Sequence, residues 1–308
     1  MIPPRATVSH PKNENVVVVV DGDAFRVFNT KENTFQTPTL PPFAPAEVNK
    51  DHQQEKSAVI IGAVFSADGN HFCTASQAKE IRFFDTDTWV QTASAKLPKR
   101  PTCVAFMHSS VAVAVADREG DVHVVSVTDG VCAQETVMES LALIFDVTPT
   151  SDNKYMISGD RHGKLRVSHY PNGYNIRSFC LGHSDMVTRV MCVRAGDRDA
   201  TEWVVSGSAD GTVKVWDYLT GTVVGCTSTL DKDLQSNGVV NHITTTTADN
   251  GDTLLSFSYE GKPHVYTTTI TAVGSLRALY SIPAPANVCG VSAGSDNRLW
   301  IITENEGR

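Results

Sequence analysis

Between Ser206 and Asp217 the chain reads SGSADGTVKVWD, and blurred copies of that wording recur along its whole length. Trp203 to Ser206 is an apolar, β-prone run, Asp210-Gly211 is a tight-turn pair, and Thr212 to Trp216 alternates like a half-buried strand. Gly182-His183 stands roughly twenty residues upstream of Ser206. A Gly-His so placed before a strand ending in Trp-Asp is the signature of a four-stranded propeller blade. Weaker copies include FSADGNHFCTASQAKEIRFFD (65–85), VAVAVADREGDVHVVSV (111–127), PTSDNKYMISGDRHGKLRVSHY (149–170) and DNGDTLLSFSYEGKPHVY (249–266). An early copy reads VVVVVDGDAFRVFN (16–29), and the last, GSDNRLWIITENEGR, runs to the terminus.

Aligning the turn before each third strand puts anchors at Gly22, Lys79, Gly120, Gly163, Gly211, Gly261 and Gly307. After the first pair the steps are 41, 43, 48, 50 and 46 residues, the period of a WD-type blade. The first step is longer because the stretch from Gln36 to Ser57 carries Pro38, Pro41, Pro42 and Pro45, which predicts an exposed loop between blades. One blade is a small sheet with two apolar faces and cannot hide both alone. A ring of blades covers each face with a neighbour and leaves short, protected edges. The chain is therefore expected to be all-β, one seven-bladed WD40-type β-propeller over residues 1–308. The last copy ends after its second strand and turn, and Arg5 to His10 already reads as the first strand of blade one. Either the natural chain continues past Arg308 or closure is irregular.

Charge and cysteines narrow the function classes. The formal net charge is −8, which argues against a chain that grips nucleic acid alone, since that task calls for a basic footprint. The seven cysteines are odd in number, widely spaced and without a CxxC pair, so neither a disulfide framework nor a zinc site is expected. Val16 to Val20 is far too short an apolar run to span a bilayer or serve as a secretory signal. A soluble protein of cytoplasm or nucleus is expected.

His183, Ser206 and Asp210 are the residue types of a nucleophilic triad. Yet Ser206 sits mid-strand, with no GxSxG elbow to expose it. The expectation is a buried structural relay instead, with Asp210 orienting His183, and His183 and Trp216 both bonding Ser206. Such a network satisfies polar groups that burial would otherwise penalise. Asp21-Gly22-Asp23 lacks the later ligands of a calcium loop, and His162 and His169 lack a third ligand. No GxGxxG, GKS or GKT loop is present, so no cofactor is expected on this chain.

Blade four is more distinctive than a generic blade. Its turn and third strand read Asp160-Arg161, then Lys164-Leu165-Arg166-Val167-Ser168-His169-Tyr170-Pro171, followed by Phe179-Cys180-Leu181-Gly182-His183. Blade three is entered by Lys99-Arg100-Pro101 and turns at Ala116-Asp117-Arg118-Glu119-Gly120-Asp121-Val122. Over about Lys99 to Val190 this resembles the non-catalytic WD-repeat subunit of the tRNA (guanine-N7)-methyltransferase; elsewhere the likeness is to propellers in general. Two departures stand out. His162-Gly163 replaces the family's acidic pair, and Glu139-Ser140-Leu141 stands where a Gly-His would open blade four, which threatens that blade's buried relay.

The resemblance implies a scaffold that binds and stabilises a separate Rossmann-like catalytic subunit as a heterodimer. That subunit would hold S-adenosylmethionine and methylate N7 of a guanine in the tRNA variable loop. It further implies tRNA contact mainly through the complex, residence in the nucleus and in the cytoplasm besides, and no membrane. Arg166 matches the family's basic position that pairs with an acidic group on the enzyme, and a guanidinium offers a bidentate fork for a carboxylate. Lys164, Arg161 and Arg118, on adjacent turns, are further partner-binding candidates. The rival readings are a scaffold of another complex, in ribosome biogenesis or as a ubiquitin-ligase adaptor, a Ser206-His183 hydrolase, and a direct RNA binder.

Overall fold

Short β-prone runs separated by connections of two to seven residues pair with their chain neighbours as antiparallel meanders. A computed structural model describes residues 5–39, 59–108, 111–196, 201–248 and 252–304. Blade one holds β1 (Arg5–Ser9), β2 (Val16–Asp21), β3 (Ala24–Asn29) and β4 (Thr34–Gln36). Blade two holds β5 (Ile60–Phe65), β6 (His71–Ser76), β7 (Glu80–Asp85) and β8 (Gln91–Lys96). Blade three holds β9 (Pro101–Phe106), β10 (Ala112–Asp117), β11 (Val122–Thr128) and β12 (Val131–Met138). Blade four holds β13 (Ile144–Pro149), β14 (Tyr155–Asp160), β15 (Lys164–His169) and β16 (Ile176–Leu181). Blade five holds β17 (Val187–Arg194), β18 (Glu202–Ser208), β19 (Val213–Asp217) and β20 (Thr222–Cys226). Blade six holds β21 (Val240–Thr247), β22 (Thr253–Tyr259), β23 (His264–Ile270) and β24 (Leu276–Pro283). Last come β25 (Val288–Ala293) and β26 (Leu299–Thr303).

Each of the six complete sheets is ordered as its strands follow in sequence, while β25 and β26 form a two-stranded sheet. Six four-stranded blades thus stand where seven blades were expected, and the seventh repeat contributes its first two strands. The first strands make the ring: β1 lies against β5, β5 against β9, β9 against β13, β13 against β17, β17 against β21, β21 against β25, and β25 against β1. The Pro-rich stretch begins later than expected, because Gln36 belongs to β4, and its residues 40–58 lie outside the described residues, as does Gly307. Among the described residues no helix is long and apolar enough to cross a membrane.

The turn anchors share one backbone requirement. Gly22, Gly120, Gly163, Gly211 and Gly261 all have positive φ, and Lys79, the anchor without glycine, is held at φ 63 as well. Position, more than residue type, is what repeats. At Gly163 crowding adds to the demand, since a Cβ would lie 2.7 Å from the carbonyl oxygen of Asp185 and 2.8 Å from that of His183. Glycine there lets the turn of blade four press against the connection that leads into blade five.

The apolar cores sit between blades rather than within them. Phe25, Phe72, Phe84 and Trp89 join blades one and two, and Ile81, Phe83, Val113 and Val125 join two and three. Met138, Ile144 and Met156 join three and four, and Ile157, Leu165, Val204 and Trp216 join four and five. Val205, Val215, Leu255 and Phe257 join five and six. Burying one such side chain fully contributes about 1.5–3 kcal/mol, so each blade is held mostly by its neighbours. Against the two-stranded sheet the wedge thins to Val265, Val288 and Val291.

Candidate partner-binding face on blade four

Blades five, three and four are each fastened by a different side-chain network, and of these the one in blade five ties the segment that enters the first strand to the turn between the second and third. In blade five the tie is a buried polar chain. His183 Nδ1 lies 2.9 Å from Asp210 Oδ2, His183 Nε2 lies 2.8 Å from Ser206 Oγ, and Trp216 Nε1 donates to the same Ser206 Oγ at 2.8 Å. Asp210 also accepts from the backbone N–H of Ser184 and from the backbone and hydroxyl of Thr212. Burial works to raise the pKa of Asp210, but the bonds from His183 and Thr212 prevail and hold it well below the usual carboxylate range. Ser206 is fully buried and Trp216 stacks edge-on to the imidazole, so no substrate can reach the hydroxyl.

Blade three carries a second relay that the sequence reading missed. His123 lies on the third strand, not before the first, and bridges Asp117 Oδ2 at 3.2 Å and Thr136 Oγ1 at 2.9 Å. Asp117 Oδ1 accepts the backbone N–H groups of Glu119, Gly120 and Asp121. Asp117, Asp121 and His123 bring three metal-type ligand atoms within 4.8 Å of one another. The hydrogen bonds already engage both oxygens of Asp117 and both nitrogens of His123, which is the chemistry of a satisfied buried network.

Blade four, without the Gly-His, uses Arg166. Its Nε donates to Ser168 Oγ at 2.9 Å, Nη1 to the carbonyl of Glu139 at 2.9 Å, and Nη2 to the carbonyl of Gly173 at 2.6 Å. Gly173 in turn donates its N–H to Val137 O on blade three. One guanidinium therefore fastens the entry segment of blade four and the loop after β15 to the flank of blade three. Arg166 is only half-buried, and it is not the free fork that a solvent-facing site would present.

What surrounds Arg166 is unusual for a surface. Arg166 is paired across the sheet with Phe179, and Lys164 with Leu181, and directly paired residues share a face. Phe179 is 44% exposed and Leu181 61% exposed. Leu141, two residues beyond Glu139, is fully exposed, and so largely is Tyr174, next to Gly173. Desolvation, and then the charge of Glu139, push the pKa of the Tyr174 phenol up. Clustered apolar side chains with basic groups among them mark an interaction site more often than they mark open surface. Lys164 opens β15 on the same face, with its backbone N–H on Asp160 Oδ1. Arg161 and Arg118 are exposed on the equivalent turns of blades four and three, at the same edge of the ring. The basic residues were legible as candidates; the apolar part was not, because β16 reads as an ordinary outer strand until its neighbours are known.

Comparisons with known proteins bear on this face. Residues 135–306 match the family model described as the tRNA methyltransferase TRM82 WD40 domain. The chain is 31% identical over 260 residues to the tRNA (guanine-N(7)-)-methyltransferase non-catalytic subunit wdr4 of Danio rerio, covering 82% of this chain and 62% of that protein. It is 31% identical over 170 residues to the Homo sapiens counterpart, covering 55% of this chain and 40% of that protein. The Dictyostelium discoideum counterpart is 27% identical over 288 residues, covering 85% of this chain and 57% of that protein. The chain thus spans about half the length of the curated relatives it matches. Among solved structures it is similar to the β-propeller domain of Myceliophteria thermophila Cps50 (Swd1), with TM-score 0.74 at 11% identity over 98% of this chain and 93% of that one. The WD40 repeats of RRP9 match with TM-score 0.74 at 13% identity, over 100% and 90% of the two chains. At such identities these two speak for the fold alone.

Proposed function

This chain belongs to the tRNA methyltransferase TRM82 WD40 family, and from that premise we propose that it is the non-catalytic subunit of a tRNA (guanine-N7)-methyltransferase. In this reading it binds a separate catalytic subunit as a heterodimer and holds that subunit in its tRNA-competent form. The catalytic subunit carries S-adenosylmethionine and methylates guanine N7 in the tRNA variable loop. The propeller itself meets tRNA mainly within the complex and resides in the nucleus and in the cytoplasm besides.

The observation that carries the proposal is the apolar and basic face around Arg166, which lies inside the stretch that matches the family model. Leu141, Phe179 and Leu181 supply area to bury, and Arg166, Lys164, Arg161 and Arg118 supply charge for an acidic partner surface. Because three bonds fix the guanidinium, its remaining N–H groups are pre-aimed, which lowers the entropy lost on docking. The relays of blades three and five serve the scaffold and not the chemistry. We also infer that β25 and β26 are the inner half of a seventh blade, supported by the seven repeats and by the packing of β25 between β21 and β1.

The test is co-purification of the tagged chain with the catalytic subunit from the same organism, followed by a tRNA methylation assay. A one-to-one complex with activity above that of the enzyme alone is the expected result. Failure of the two to associate would return the propeller to an unassigned scaffold.

A further inference from the structure

The first strands of the ring line a central cavity of about 460 Å³, and its ionisable lining residues Asp146, Arg189 and His242 come from three neighbouring blades. In blades two to six and in the two-stranded sheet the pairing of the first strand slips at the same point, leaving one residue out of register. The slip makes Gly62, Cys103, Asp146, Arg189, His242 and Gly290 structural equivalents in successive sheets. Three neighbouring blades place Asp146, Arg189 and His242 in that layer, while the opposite side of the ring has glycine or cysteine. Small residues facing charged ones leave room for a guest.

The hydrogen bonds show which capacity is unmet. Asp146 accepts from the backbone N–H groups of Val147 at 3.0 Å and Val190 at 2.8 Å, and so is held against the strands. His242 Nε2 is 3.2 Å from Asn241 Nδ2, and the ring also bonds the Cys289 backbone. Burial first, and then the charge of Arg189, push its pKa down to about 3, so it adds no positive charge at neutral pH. Arg189 is bonded through Nη1 alone, to Thr188 O at 2.8 Å, and among the described residues its Nε and Nη2 have no hydrogen-bond acceptor. Across the ring Thr7 is 9% exposed and its Oγ1 has no partner, packed so near β25 that a Cβ on Gly290 would lie 2.4 Å from it. The unmatched groups are a guanidinium edge and the hydroxyls of Thr7 and Thr102, all able to donate.

We infer that the central channel is a binding site for a small oxyanion, a carboxylate or a phosphate, seated on the Nε and Nη2 edge of Arg189 with Thr7 donating from the opposite wall. That edge of a guanidinium fits two oxygens of one anion in its plane. The volume falls in the range of small-molecule sites, and a buried hydroxyl without a partner is a cost that a ligand removes. The catalytic subunit plays no part in this site, so its fate is separate from that of the preceding proposal.

Calorimetric titration of the full chain with sodium phosphate and, separately, with sodium succinate tests it, each against sodium chloride of equal ionic strength. Saturable one-site heat with either anion is expected, and which one titrates tells a phosphoryl from a carboxylate ligand. Arg189→Lys keeps the charge but loses the fork, and Thr7→Val keeps the shape but loses the donor. Each is expected to weaken binding by about tenfold. Thr7→Val is nearly isosteric and reads the site even if Arg189→Lys folds poorly. Absence of saturable heat with both anions at millimolar concentration overturns the inference, as does affinity unchanged in Thr7→Val.

Discussion

Blade five and blade four are each tied at their entry segment, one by a buried relay and the other by a half-exposed arginine. In blade five every polar atom of the tie is paired with another inside it, and Trp216 closes over the chain of bonds. In blade four the tie ends on two backbone carbonyls, Glu139 and Gly173, and leaves Leu141, Tyr174, Phe179 and Leu181 facing outward. A satisfied, buried network has nothing left to offer a partner. A tie that leaves donors and apolar area at the surface does, and the difference separates a blade built for stability from one with a face to present. Blade three stands closer to blade five, its Asp117 and His123 buried and mutually bonded, with Thr136 joining them from the exposed outer strand.

Substitutions in the two blades should therefore part company. The largest loss of stability is expected from Trp216→Ala, which empties a fully buried indole site and leaves Ser206 without one of its donors. A cost of about 3–5 kcal/mol is anticipated, read from the urea midpoint, with partner affinity unchanged wherever the fold persists. Asp210→Ala comes next, at about 1–3 kcal/mol, because His183, Ser184 and Thr212 lose an acceptor together. Its pH dependence has a definite sign. The folded pKa of Asp210 is depressed, so its contribution is complete above the unfolded value of about 3.9 and is lost as pH falls toward the folded value. The stability gap between wild type and Asp210→Ala should stay constant near neutrality and shrink below about pH 4. A gap that widened in acid would contradict this account of the relay.

Arg166→Met is expected to cost about 1–2 kcal/mol of stability, since the carbonyls of Glu139 and Gly173 can turn to water. In blade four, unlike blade five, that loss should come with a larger one in partner affinity, about 2–5 kcal/mol, by pull-down or calorimetry with the catalytic subunit. If Arg166→Met lowered the urea midpoint and left affinity intact, the arginine would be a structural tie and nothing more.

How far these differences could be read in the sequence depends on which atoms carry them. The blade-five relay was legible because it is built from side chains at fixed offsets around a recognisable turn. Its strands run slightly otherwise than expected, Glu202–Ser208 and Val213–Asp217, because Thr212 is drawn into the Asp210 turn. The blade-three relay went unseen because His123 occupies the third strand, outside the Gly-His position that signals it. Arg166 could be named but its bonds could not, since they end on main-chain carbonyls that leave no mark in a sequence. The channel layer was hidden for a further reason. Asp146, Arg189 and His242 become equivalent only once the slipped residue in each first strand is known, and a one-residue slip reverses which face a side chain takes.

The smallest effect on stability is also the sharpest test of the comparison. Leu181→Asp changes a residue that is 61% exposed on β16 and makes no side-chain hydrogen bond, so the fold should shift by no more than about 0.5 kcal/mol. Val223, 39% exposed on β20, offers an apolar residue on the outer strand one blade further on for comparison. Val223→Asp should be quiet in both stability and partner binding. Leu181→Asp should be quiet in stability alone, because burying a new carboxylate beside Phe179 at an interface costs far more than exposing it to water. Equal affinity for the two variants would mean that the exposed apolar residues of blade four are ordinary surface and that the partner docks elsewhere on the ring. A loss confined to Leu181→Asp would place the contact on blade four, whose internal tie leaves its face open.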